Sequence, residues 1–200
     1  MRLAKSARLA LAALVAVACV GGGMSAVAKE DPNTAQLAAL KKAMEKYQDW
    51  KVAVRDLYLS TTGCVHYSGE MIPGHMHYAK GAMGIHFLNL TIPVDKLDPM
   101  KPNVLIYEPV GKTLKLVAVE WLVPLTPDLK AKPTLFGQEF MGPMEGHEPL
   151  IPQNYVHYDL HVWLFKPNPL GMFSPTHPGV KCRGYAHDLL EQPTKMMAGP

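Results

Sequence analysis

The stretch that most constrains the fold is Tyr155-Val156-His157-Tyr158-Asp159-Leu160-His161-Val162-Trp163-Leu164-Phe165. Its side chains alternate, and a strand sends successive side chains to opposite faces. Val156, Tyr158, Leu160, Val162 and Leu164 make a core-facing row. The other row holds His157, Asp159 and His161, flanked by Tyr155, Trp163 and Phe165. Same-face neighbours on a strand lie about 6.5–7 Å apart. That spread is too wide for these three to form a self-sufficient chelate. The row is expected to be one wall of a pocket that other strands complete.

The rest of the chain supplies those strands. Asp31-Pro32-Asn33-Thr34 combines cap-type residues with a proline near the first turn. Leu37, Leu40, Met44, Tyr47, Val54 and Leu57 then recur near helical spacing, which predicts one amphipathic helix over 33–58. Residues 60–84 read as loop. Strands are expected at 85–92, 104–107, 113–123 and 155–165, with a turn at 109–112 that makes the second and third a hairpin. Residues 124–153 are rich in Pro and Gly and read as a long irregular excursion, a kind of loop that is often functional. The proline-rich tail after Lys166 should wrap the body in extended form until Cys182. The expected architecture is α+β: an N-terminal amphipathic helix packed on a strongly bent antiparallel sheet or small barrel with long irregular loops.

The first 28 residues have the pattern of a secretory signal. Arg2, Lys5 and Arg8 precede an apolar run over 9–20 that is short for a membrane span, and Ala26-Val27-Ala28 supplies a cleavage site. A single globular domain over 29–200 is expected in the periplasm or outside the cell. Lipoprotein anchoring through Cys19 is the weaker alternative, because Ala16 stands where a larger aliphatic residue is usual. Three of the 20 basic residues fall in this leader, which leaves the domain with 17 of each sign. Such a balance argues against a nucleic-acid surface. No later stretch is apolar enough to span a bilayer. Cys64 and Cys182 remain, an even pair that implies a disulfide in an oxidising compartment, with two metal-binding thiols as the alternative.

Two further residues sit oddly for their surroundings. His86 shares a strand face with Leu88, Leu90 and Ile92, and Glu120 shares one with Leu116, Ala118 and Leu122. A carboxylate on an apolar face is costly unless paired or metal-bound. His86, Glu120, His157 and His161 are therefore grouped as one candidate site for a metal ion or small molecule. Asp159 and His147 form its possible rim. His75 and His77, in a Gly/Pro-flanked loop with Met71 and Met76 and with Met83 beyond it, form a possible gate. Imidazole with thioether suits copper, and imidazole with carboxylate suits zinc or iron. The chain has no G-x-S-x-G elbow, H-E-x-x-H helix, phosphate loop, dinucleotide fingerprint or C-x-x-C-H haem attachment. Three readings stay open: an exported binding protein, a metal-dependent enzyme with Glu120 or Asp159 as general base, or a structural domain without ligand. No residue is assigned as catalytic.

Four segments carry a resemblance. They are Gly81-Ala82-Met83-Gly84-Ile85-His86-Phe87-Leu88-Asn89, Val104-Leu105-Ile106-Tyr107-Glu108-Pro109, Pro133-Thr134-Leu135-Phe136-Gly137-Gln138-Glu139-Phe140, and the stretch 157–182. Together they resemble a family of small exported bacterial proteins without an established function, over most of the chain from about residue 60 onward. The run Asp159-Leu160-His161-Val162-Trp163-Leu164-Phe165-Lys166-Pro167-Asn168-Pro169, followed by Gly171-Met172-Phe173, is its most specific part. A fainter similarity, carried by Glu120-Trp121 and His161-Val162-Trp163, runs to the oil-body-associated proteins of plants and their microbial relatives. These resemblances bear on the fold, and they imply no activity and no ligand set.

Overall fold

A computed structural model describes residues 32–147 and 151–200. The expected signal over 1–28 and Cys19 lie outside the described residues. The chain forms one curled sheet, half of a barrel, with a short helical layer on one side. The α+β expectation holds at that level.

The sheet contains β1 (Leu59–Tyr67), β2 (Gly81–Leu88), β3 (Val104–Val110), β4 (Thr113–Pro124), β7 (Met141–Met144), β8 (His157–Val162) and β9 (Asp188–Glu191). Their order is β7-β8-β4-β3-β2-β1-β9. Every pairing is antiparallel except β1 with β9, which is parallel. A small separate hairpin joins β5 (Thr134–Leu135) to β6 (Gln138–Glu139). The β3–β4 hairpin closes where Val110 opposes Thr113, inside the expected turn.

The expected single helix is two. Helix α1 (Pro32–Met44) runs into a 3₁₀ turn, Glu45–Gln48, and α2 (Trp50–Arg55) follows. Asp49 breaks the run: its backbone is extended, with ψ at 100°, and its side chain accepts the Lys51 N–H as an N-cap. The loop reading of 60–84 also needs correction, because Leu59–Tyr67 is a strand. Gly63 sits there because an added Cβ would collide with the His187 carbonyl, a close approach between distant parts of the chain.

Register decides which side chains meet. Phe87, Leu105, Val119 and Val162 form one cross-strand row, and this face packs with Leu40, Met44 and Tyr47 in the main core. The Tyr107 hydroxyl donates to the Tyr47 carbonyl across that layer. The next row, on the opposite face, is Leu88, Val104, Glu120 and His161. Both faces of β8 are buried. The polar row read from the sequence is therefore interior. A bulge in β2 adjusts this second face: Val65 opposes Gly84 while His66 opposes Ala82, so Met83 is an extra residue and reaches the same cavity as His86. Gly84 allows the fit, with φ at +105° and with the Tyr107 carbonyl oxygen 2.7 Å from where a Cβ would stand.

Cys64 and Cys182 form a disulfide across 118 residues of sequence. Beyond it β9 returns beside β1, with Cys64 opposite Asp188 and Tyr67 opposite Glu191. Among the described residues no helix is long and apolar enough to cross a membrane.

Candidate metal centre

The sheet face away from the helices encloses a small cavity of about 30 Å³. Its walls include His86 from β2, Glu120 from β4, His157, Asp159 and His161 from β8, and His147 from the segment after β7. The four residues grouped from the sequence thus line one space, joined by the two assigned to its rim. Asp159 and His147 are part of the wall itself. His75 and His77 do not line the cavity. The His75 backbone instead bridges to Lys195, and its ring Nδ1 lies 3.0 Å from the Pro73 carbonyl oxygen.

Strand pairing explains the convergence. Glu120 stands opposite His161 in the β4–β8 ladder, and Leu122 stands opposite Asp159. His86 sits two strands from Glu120, near enough once the sheet curls. Glu120 Oε2 lies 3.3 Å from His86 Nε2 and 3.7 Å from His161 Nε2. The other His161 nitrogen, Nδ1, lies 3.9 Å from Asp159 Oδ1. None of these approaches has hydrogen-bond geometry at the atoms concerned. Glu120 Oε2, both His161 nitrogens, His86 Nδ1, His157 Nε2 and Asp159 Oδ1 are buried without a hydrogen-bond partner among the described residues. One such atom costs about 1–3 kcal/mol, and a whole domain is stable by only about 5–15 kcal/mol. Six in one cavity therefore demand something to satisfy them.

The electrostatics follow from burial. Desolvation pushes His86 down to about 3 and His157 to about 4, and it holds His161 well below the usual imidazole range. The same desolvation pushes Asp159 up to about 7 and Glu120 well above the usual carboxyl range. The short His86–Glu120 distance is thus not an ion pair, since burial favours the neutral form of each partner. Neutral imidazoles present lone pairs, and a bound cation would reverse the penalty on the carboxylates.

Two triads satisfy the spacing a metal ion needs. In His86, Glu120 and His161, one ligand atom from each residue lies within 4.8 Å of the others. The same holds for His147, His157 and Asp159. Ligand atoms about 2.05 Å from a tetrahedral ion stand about 3.3 Å apart. The His86–Glu120 separation matches that value. The second triad has the better outer support. His157 Nδ1 lies 3.1 Å from the Tyr155 carbonyl oxygen, so Nδ1 carries the proton and Nε2 presents its lone pair to the cavity. His147 Nδ1 is held 3.2 Å from Glu191 Oε2, which also accepts the Tyr67 hydroxyl. A carboxylate or carbonyl behind each imidazole is the arrangement that orients metal ligands.

Glu191 and Tyr67 escaped the sequence reading. Glu191 lies in a short mixed segment, Asp188-Leu189-Leu190-Glu191, with no local signal. Only its register on β1, beyond the disulfide, places it behind His147. No family profile, curated protein or solved structure matches the chain.

Proposed function

We propose that this protein is an exported binding protein for a transition-metal ion, held by imidazole and carboxylate groups in the cavity behind the sheet. The observation that carries the reading is that five side chains lining one small space hold six buried polar atoms with no partner among the described residues. Their chemistry suits zinc or iron, and the Met83 side chain in the wall adds a thioether that suits copper. An organic ligand fits poorly, because pockets for such ligands span about 300–1,000 Å³. A cavity of about 30 Å³ takes an ion and a water-sized companion. A purely structural role requires ordered water alone to satisfy the six atoms. The Cys64–Cys182 disulfide supports an oxidising compartment outside the cytoplasm.

The test is metal analysis of the protein purified from the periplasm without added metal, beside a His157→Ala/His161→Ala variant. The reading expects a transition metal in the wild type and its loss from the variant. Wild-type protein free of metal, together with unchanged stability in the variant, would overturn it.

A second reading, a metal-dependent enzyme, draws on the ligand count. Each triad supplies three protein ligands, and catalytic zinc sites keep a fourth position for water. Cobalt-loaded protein whose absorption spectrum changes on adding azide would favour this reading, since the anion needs an open position.

A further inference from the structure

We infer that the cavity holds two metal ions side by side, one in each triad, with His161 and Asp159 at the junction between them. This rests on the reading of the cavity as a cation site. It goes further by fixing the stoichiometry and by assigning His147, His157 and Asp159 as ligands of a second ion.

The argument starts from His161. The two nitrogens of an imidazole point away from each other, so one ring cannot give both to the same ion. Here Nε2 faces Glu120 at 3.7 Å and Nδ1 faces Asp159 at 3.9 Å, and both nitrogens are buried without hydrogen bonds. The ring thus presents one nitrogen to each triad. An ion among His86, Glu120 and His161 would engage the first nitrogen only. It would leave His157 Nε2 and Asp159 Oδ1 unpartnered. His157 Nε2 is an acceptor, because Nδ1 carries the proton toward the Tyr155 carbonyl. With Nε2 on the first ion, His161 Nδ1 carries the ring proton toward Asp159, while His157 Nε2 and an ionised Asp159 carboxylate accept, and those acceptors are what a second cation satisfies.

Size and support agree. A cavity of about 30 Å³ is roughly twice the minimum space that holds one water, and a metal ion is smaller than water. The outer contacts of His147 and His157, to Glu191 and to the Tyr155 carbonyl, orient that triad independently of the first. Paired ions in proteins stand about 3.5–4 Å apart and share bridging ligands. Asp159 belongs to the second triad and, 3.9 Å from His161 Nδ1, is its nearest approach to the first. Two divalent ions against Glu120 and Asp159 leave an excess of positive charge, which a shared hydroxide would reduce.

The test is a count. The mature, disulfide-bonded protein is stripped with chelator, given Zn(II) alone, freed of loose ions by gel filtration and analysed for zinc. Two equivalents are expected. His157→Gln should retain one equivalent in the first triad, and Glu120→Gln should retain one in the second, each with a native near-ultraviolet circular dichroism spectrum. One equivalent in the wild type would overturn the paired site and leave the proposed function standing, with water beside the ion. None would overturn both. The wild-type count needs no variant to fold.

Discussion

Glu108 on β3 and Glu120 on β4 are both buried carboxylates on neighbouring strands, and they have opposite surroundings. Both Glu108 oxygens accept from Lys166 Nζ, at 2.8 and 2.7 Å, and Oε1 also accepts the Lys181 backbone N–H. Lys166 in turn donates to the Gly179 carbonyl. Glu120 has two imidazoles within 3.7 Å, yet its Oε2 makes no hydrogen bond. The first carboxylate is a finished structural knot that ties the tail to the sheet. The second sits among groups that leave its Oε2 without a partner among the described residues. Burial of a charge alone does not mark a site; burial without protein partners does.

The largest effect should come from the covalent side of the knot. Cys182 follows Lys181, and its bond to Cys64 closes a loop of 118 residues. In the chain-entropy model such a loop contributes about 4–5 kcal/mol. A Cys64→Ser/Cys182→Ser variant should lose roughly that much in urea unfolding. A loss below about 1 kcal/mol would mean that the tail is held by the Lys166–Glu108 contacts without the disulfide. Next comes Lys166→Met, which leaves the buried Glu108 without its counter-charge and with only the Lys181 backbone N–H. It should cost about 2–3 kcal/mol and leave zinc uptake intact. Reduced zinc uptake in that variant would blur the distinction between the two carboxylates.

Glu120→Gln should do the reverse. Removing a carboxylate that burial already disfavours should leave metal-free stability unchanged or raise it by about 1 kcal/mol. Zinc affinity of the first triad in a competition titration should fall by more than the roughly 10–100-fold that goes with losing a supporting group, because Glu120 is a ligand there. Loss of stability without loss of affinity would make Glu120 a second structural knot. The smallest effect is in pH. Because burial raises Glu120 and Asp159, the metal-free cavity keeps protons that exposed carboxylates would have released. A cation must displace them, so affinity rises with pH and weakens as pH falls through about 7, by up to about tenfold per unit for each proton released. His86 and His157, pushed down to about 3 and about 4, are already neutral there and add nothing to the slope. Affinity that is flat between pH 6 and 8 would contradict this assignment.

How much was legible in the sequence follows from which forces are local. Alternation located β8 and placed His157, Asp159 and His161 on one face, because side-chain direction on a strand has a fixed period. The misfit of His86 and Glu120 with their apolar neighbours drew both toward the site without any knowledge of strand order. Asp49 was not read as a break, since its cap to Lys51 outweighed a helical pattern that continued past it. The Leu59–Tyr67 strand was hidden by turn-type residues whose glycine answers a contact with residue 187. Asp159 and His147 stand at the rim in the sequence reading, and strand order and the curl of the sheet bring both into the wall. The most specific resemblance segment also divides. Its first residues, Asp159 and His161, face the cavity. Its later ones hold the tail: the Trp163 indole donates to the Ser174 carbonyl, Lys166 binds Glu108, and the Asn168 amide donates to the Thr176 carbonyl.

The central claim is that the unpartnered atoms around Glu120 are metal ligands. Anomalous diffraction at the zinc absorption edge, from crystals of the mature protein grown with Zn(II), tests it most directly. The account predicts a strong peak about 2.0–2.2 Å from Glu120 Oε2 and from a nitrogen of both His86 and His161. A cavity filled by ordered water, with the same side-chain positions and no anomalous peak, would contradict it.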